Sequence, residues 1–197
     1  MKASPIESFL LRNTRALLLI VLAFQFETLV AHAQDNELTE QAVLQSIVSG
    51  QKALIAKQKD SGAWDSANHV VGNTALATLS LLNCGMSPDE APVRKALDYL
   101  RSIGEPTGTY EVSLLLMVYA AVKDPDDRRS MRRLVQRLEK SQIGFGKMKG
   151  CWDYGLPIGT GGDHSNGQFA VLGLFEAAMA GIPVERVVWE NSRDHWE

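Results

Sequence analysis

Apolar positions along the chain follow two patterns, and both predict helix. In the first, a single stripe is apolar. Residues 40–58 place Leu44, Ile47, Val48, Leu54 and Ile55 on one stripe. Val93, Ala96, Leu97 and Leu100 recur at i, i+3, i+4 and i+7, and Met131, Leu134, Val135 and Leu138 repeat that spacing. Such helices bury one face and wet the other. In the second pattern no polar face remains. Residues 75–82, 112–122 and 169–180 are apolar nearly all round, which predicts burial on every side. Their Ala, Leu and Met content favours helix over buried strand. None is long enough to cross a bilayer, so no transmembrane segment is expected after the N-terminal leader.

The predicted helices are 40–58, 73–84, 89–102, 109–122, 126–141, 166–180 and 184–196. Half-wet and dry helices alternate strictly. That order predicts hairpins stacked side by side in two concentric layers, with the dry helices inside. Leu79, Leu115, Leu116 and Leu172 should then be buried, and Glu40, Arg94 and Arg132 exposed. Two helix starts are well marked. Ser87-Pro88-Asp89-Glu90 offers a cap, a proline at the first helical position and the Glu of a capping box. Asp124-Pro125-Asp126-Asp127 has the same form with an Asp cap. An internal repeat supports the layering. Asn73, Ala77, Leu79 and Leu81 match Asn166, Ala170, Leu172 and Leu174, each 93 residues later. Gly85 and Asp98 match Gly181 and Asp194, each 96 later. The separation covers two hairpins of about 47 residues each.

A motif recurs where the first and third amphipathic helices end. The first copy is Gln58, Gly62 and Trp64; the second is Gln142, Gly150 and Trp152, with a longer spacer. A helix-terminal Gln can satisfy free carbonyls, Gly permits a sharp exit, and Trp fills the gap between hairpins while donating its indole N–H. The pattern resembles the QW motif of squalene and oxidosqualene cyclases and of protein prenyltransferase β-subunits. The resemblance covers about residues 40–197 and implies an all-α, α/α-toroid fold. It gives these six residues a structural role. Three inner helices amount to about half of a closed ring: three hairpins plus one outer helix. The resemblance therefore implies a partial toroid, with apolar edges covered by self-association or by a partner chain.

The family's chemistry is only partly matched. Asp124-Pro125-Asp126-Asp127 fits the D-x-D-D proton-donor motif of squalene–hopene cyclases. Here it opens an amphipathic helix beside Arg128 and Arg129, cations that would hold the acids ionised, whereas a proton donor must be neutral. A helix cap accounts for every residue of it. The Asp-x-Cys and distant His of the prenyltransferase zinc site are missing. Cys151, Asp153 and His164 form a looser set of metal-type ligands, without the family pattern. No metal and no cofactor are expected.

The better candidate surface is the rim where outer helices lead into inner ones. Alternation puts three crossings at one end of the layers. They carry His69, Asn73 and Thr74; Thr109, Tyr110, Glu111 and Ser113; and Asp163, His164, Ser165, Asn166 and Gln168. The longest crossing, 144–166, adds Asp153, Tyr154 and the glycines 159, 161 and 162. Loops on a rigid scaffold are where binding groups sit. His69, Asn73, Tyr110, Glu111, Tyr154, Asn166 and Gln168 are the rim candidates. Asp153, Asp163 and His164 are the candidate catalytic groups. Asn, Thr, Asp and Ser at such positions also serve as helix caps. His195 is expected to face solvent on an outer helix.

Composition adds class and compartment. The chain has 197 residues, 20 Lys+Arg against 23 Asp+Glu, and a net charge of −3. With 45% hydrophobic residues it has the make-up of a globular chain, which excludes bulk disorder. The absence of a basic excess argues against a nucleic-acid partner. Residues 1–33 read as a secretory signal peptide. Lys2, Arg12 and Arg15 precede the apolar run 16–24, and Ala31-His32-Ala33 forms the cleavage site. Export to the periplasm or beyond is expected, with a domain over 34–197. There Cys84 and Cys151 either pair or remain separate thiols. The sequence thus predicts an exported binding or interaction module for an apolar or isoprenoid ligand. The alternative is a terpene cyclase or prenyltransferase-type enzyme fragment completed by a second chain.

Overall fold

The computed structural model describes residues 39–65, 69–155 and 161–197. The expected signal peptide and Gly159 lie outside the described residues. The chain divides into two compact units, Met1–Ser46 and Ile47–Glu197. The described residues form seven α-helices and no strand: α1 (Glu40–Ile55), α2 (Val70–Asn83), α3 (Ala91–Ser102), α4 (Thr109–Val122), α5 (Arg128–Ser141), α6 (His164–Met179) and α7 (Arg186–Trp196). All seven predicted helices are present. None of them is long and apolar enough to cross a membrane. The first unit is described over 39–46, where the Thr39 hydroxyl accepts the Ala42 N–H at 3.1 Å and caps α1.

Within the second unit the core follows the apolar patterns. Dry helix α4 packs against both other dry helices, α2 on one side and α6 on the other. Leu115, Leu116, Val112 and Val118 of α4 are buried accordingly. Amphipathic α3 lies on α2, and α5 lies on α4 and α6. Their stripes, Val93–Ala96–Leu97–Leu100 and Met131–Leu134–Val135–Leu138, are buried as predicted, with Arg94 and Arg132 outward. Deep in this layer, burial holds the Tyr119 phenol up at about 12.

Two expectations about burial fail. Leu172 of α6 is 39% exposed, and Phe175 and Met179 on the same helix and Leu76 on α2 are more exposed still. Leu79 is half-buried. Among the described residues α2 and α6 each have one dry neighbour, so a side chain turned from α4 meets no partner. The stripe on α1 also fails: Leu44, Ile47 and Val48 are exposed. Only the last turn of α1, through Leu54 and Ile55, joins the core.

The two motif copies make matching contacts. Gln58 Nε2 donates to the Gly62 carbonyl at 2.9 Å and to the Pro92 carbonyl, in the first turn of α3, at 2.8 Å. Gln142 Nε2 donates to the Gly150 carbonyl at 3.2 Å and to the Val188 carbonyl, in the first turn of α7, at 2.9 Å. Each glutamine thus ties the end of one helix to the start of the next amphipathic one. Trp64 Nε1 donates to the Leu54 carbonyl at 2.8 Å, and Trp152 Nε1 to the Leu138 carbonyl at 2.7 Å. Gly62 and Gly150 both have φ near +90°, the left-handed region. A Cβ at Gly62 would overlap the Lys95 carbonyl, and one at Gly150 the Asn191 carbonyl. Both positions therefore require glycine.

Helix starts differ from expectation in detail. Ser87 to Glu90 form a turn in which the Ser87 N–H donates to the Glu90 carboxylate at 2.7 Å. The Ser87 hydroxyl accepts the Asp89 N–H at 3.3 Å rather than the Glu90 N–H, so only half of the box forms, and α3 begins only at Ala91, with Pro92 in its first turn. At Asp124-Pro125-Asp126-Asp127 the Asp124 carboxylate accepts the Asp126 N–H at 3.0 Å, and a 3-10 turn (Pro125–Asp127) leads into α5. The cap is as predicted; the cation is not. Arg101 donates to Asp127 at 2.9 and 2.7 Å and to Asp124 at 2.8 Å. The hydrogen bond to Asp127 raises the guanidinium's pKa above the usual arginine value. Arg128 instead donates to the Ala180 and Gly181 carbonyls.

Candidate functional site

Helix starts put their polar residues around one hollow. The α2 start brings His69, Gly72 and Asn73, and the next turn brings Leu76. The α4 start brings Tyr110, Glu111 and Leu114, preceded by Thr107 and Gly108. These residues, with Tyr154 and Gly155 from the long crossing and Phe169 from α6, line a cavity of about 670 Å³. That size is within the usual range for a small-molecule site.

The wall is apolar with few polar groups. The rings of Tyr110 and Phe169 lie 4.5 Å apart at 51° and form an aromatic corner between α4 and α6. Leu76 and Leu114 continue the apolar surface. The crossing is pinned to the α4 start: the Thr109 N–H donates to the Tyr154 carbonyl at 3.0 Å, and its hydroxyl donates to the Asp153 carbonyl at 2.5 Å. Gly108 and Gly155 pair as an isolated antiparallel bridge. Glu111 is the one carboxylate in the described lining. Its Oε2 accepts the Gly108 N–H at a long 3.4 Å, and its Oε1 is 4.0 Å from His69 Nδ1.

Five of the seven rim candidates meet here: His69, Asn73, Tyr110, Glu111 and Tyr154. Asn166 and Gln168 do not line the cavity. Asn166 is fully buried, its Nδ2 donates to Asp163 at 3.0 Å, and its Oδ1 has no hydrogen-bond partner. Gln168 is exposed on α6. Phe169, Leu76 and Leu114 lie in segments whose pattern predicts burial, because an apolar residue lining a hollow has the sequence signature of one lining a core.

The candidate catalytic groups have other surroundings. Asp163 caps α6: its Oδ1 accepts from the Ser165 hydroxyl and from the Asn166 N–H, the latter at 2.9 Å. The hydroxyl bond, reinforced by that backbone N–H, lowers its carboxyl pKa below the usual value. Its charge in turn raises the Tyr154 phenol, which donates to Oδ2 at 3.4 Å. Asp153 accepts the N–H groups of Tyr154 and Gly161 and shapes the loop. His164 is exposed and stacks within 5.3 Å of His195 and within 5.2 Å of Trp196. His195 is a correction. It is half-buried against the Gly150 turn, with Nε2 buried and unpartnered. Cys151, Asp153 and His164 do not converge: among the described residues no group of three metal-type ligands is placed to hold an ion. Cys84 is exposed and Cys151 buried, and both are free thiols. Burial raises the Cys151 thiol above its usual pKa.

Comparison of the chain with protein-family models, with curated proteins and with solved structures finds no match.

Proposed function

We propose that the chain is an exported, toroid-type repeat protein, resembling the squalene cyclase and prenyltransferase group, that binds an apolar or isoprenoid-like small molecule between the starts of α2 and α4. The observation that carries this is the cavity of about 670 Å³, walled by Leu76, Leu114, Tyr110 and Phe169 with a few convergent polar groups. An apolar hollow of this kind gains free energy when hydrocarbon replaces water. The test is titration of the purified chain with farnesol, read by tryptophan and tyrosine fluorescence. Saturable binding that Phe169→Ala weakens supports the reading; no saturable signal refutes it.

A second reading is an enzyme completed by another chain. It is favoured by the exposed apolar residues of α6, Leu172, Phe175 and Met179, which offer a surface for a second copy or a partner. Sedimentation of the purified chain tests the association. Turnover of squalene or farnesyl diphosphate by the associated form would establish the enzyme.

A further inference from the structure

Glu111 sets a condition on any occupant of this cavity. Its side chain is only 18% exposed. Its hydrogen bond from Gly108 is long, and no Lys or Arg is among the described lining residues. The nearest cationic candidate, the His69 imidazole, is 73% exposed and 4.0 Å away. A purely apolar ligand would strip water from this carboxylate and give nothing back, which is costly for a buried charge. A cation would pair with it. The adjoining surface suits a cation further. Tyr110 and Phe169 form an aromatic corner, and the tyrosine comes from the residue beside Glu111. Aromatic faces attract organic cations, and quaternary ammonium groups above all.

We infer that the cavity selects an amphiphilic organic cation: an ammonium head held by the Glu111 carboxylate and the Tyr110–Phe169 corner, with a hydrocarbon tail along Leu76 and Leu114. This rests on the cavity reading and narrows it to one ligand class.

The experiment uses the purified chain and three ligands with one tail: decyltrimethylammonium, decanol and decyl sulfate, each below its micelle or solubility limit. Calorimetry gives the dissociation constants. The expected order is ammonium tightest by about tenfold over the alcohol, the size of a desolvated cation–π and charge contribution, with the sulfate weakest. Glu111→Gln keeps shape and removes charge. It should shrink the ammonium preference to what the aromatic corner alone supplies, and decanol should bind no more weakly, since the charge that an uncharged ligand must desolvate is gone. Equal binding of ammonium and alcohol overturns the cation inference but leaves the apolar cavity standing. No binding by any of the three overturns the cavity reading itself. The wild-type ligand series decides the matter even if the variant fails to fold.

Discussion

Gln58 and Gln142 tie together different pairs of helices with the same contacts, through loops of different length. In the first copy four positions separate Gln from Gly; in the second, eight do. Yet the backbone closes identically. The Lys59 N–H donates to the Ala63 carbonyl and the Gly62 N–H to the Lys59 carbonyl, both at 2.9 Å. The Ile143 N–H donates to the Cys151 carbonyl at 2.9 Å and the Gly150 N–H to the Ile143 carbonyl at 2.8 Å. The extra residues sit inside a closed turn and leave its ends where they were. What the fold requires is the end points, not the count between them. The copies differ in depth. Trp152 is fully buried and Trp64 6% exposed, while Gln142 also donates to the Ser192 hydroxyl and accepts from Asn191. The second tie sits under α7, the first beside an α1 whose apolar stripe is exposed.

The largest effect should come from the tryptophans. Trp152→Ala should destabilise the fold by about 3–5 kcal/mol, the range for a buried aromatic, and Trp64→Ala should fall at or below the low end of it. Urea unfolding of both variants measures the difference. Equal losses would mean that burial depth does not distinguish the two ties.

The glycines come next and should not differ. Gly62→Ala and Gly150→Ala each force a left-handed φ on a side chain and drive a Cβ into a backbone carbonyl. Each should cost about 2–4 kcal/mol. If either is tolerated, the close approach at that copy is not the constraint described here.

Much of this was legible in sequence, for a definite reason. Periodicity reports which face of a helix is apolar, so all seven helices and the stripes of α3 and α5 could be read. It does not report whether a neighbour stands against that face. Leu116 and Leu172 look alike in sequence; α4 lies between two dry helices, whereas Leu172 lies on the side of α6 turned from α4. The α1 stripe fails in the same way. The cavity was half legible. Polar residues at helix starts flagged His69, Asn73, Tyr110 and Glu111, since strict alternation puts those starts at one end. Phe169 and Leu114 could not be flagged, and Arg101 as the partner of Asp127 required tertiary structure.

The glutamines should separate the copies more gently than the tryptophans. Gln142→Ala removes buried bonds to two carbonyls and a hydroxyl, although the Ser192 hydroxyl still donates to the Gly150 carbonyl. A loss of about 2–3 kcal/mol is expected. Gln58 is half-exposed, so water can replace its amide, and Gln58→Ala should cost about 1 kcal/mol. Amide hydrogen exchange at the starts of α3 and α7 would locate each loss.

The smallest effect is the sharpest test of the comparison. Deleting Phe145, Gly146, Lys147 and Met148 leaves Gln142-Ile143-Gly144-Lys149-Gly150-Cys151-Trp152, which has the spacing of Gln58 to Trp64. The loop ends are already held by the Ile143–Cys151 and Gly150–Ile143 bonds, and Phe145 is exposed. The deletion gives up the Met148 side chain beside Gly162 and the bond from the Cys151 N–H to the Met148 carbonyl. Shortening a closed loop recovers a few tenths of a kcal/mol of chain entropy in return. The net change should stay within about 1 kcal/mol, with Trp152 still buried by fluorescence quenching. Unfolding of the variant would show that the four residues hold the second tie together, and that the two copies are equivalent only in outline.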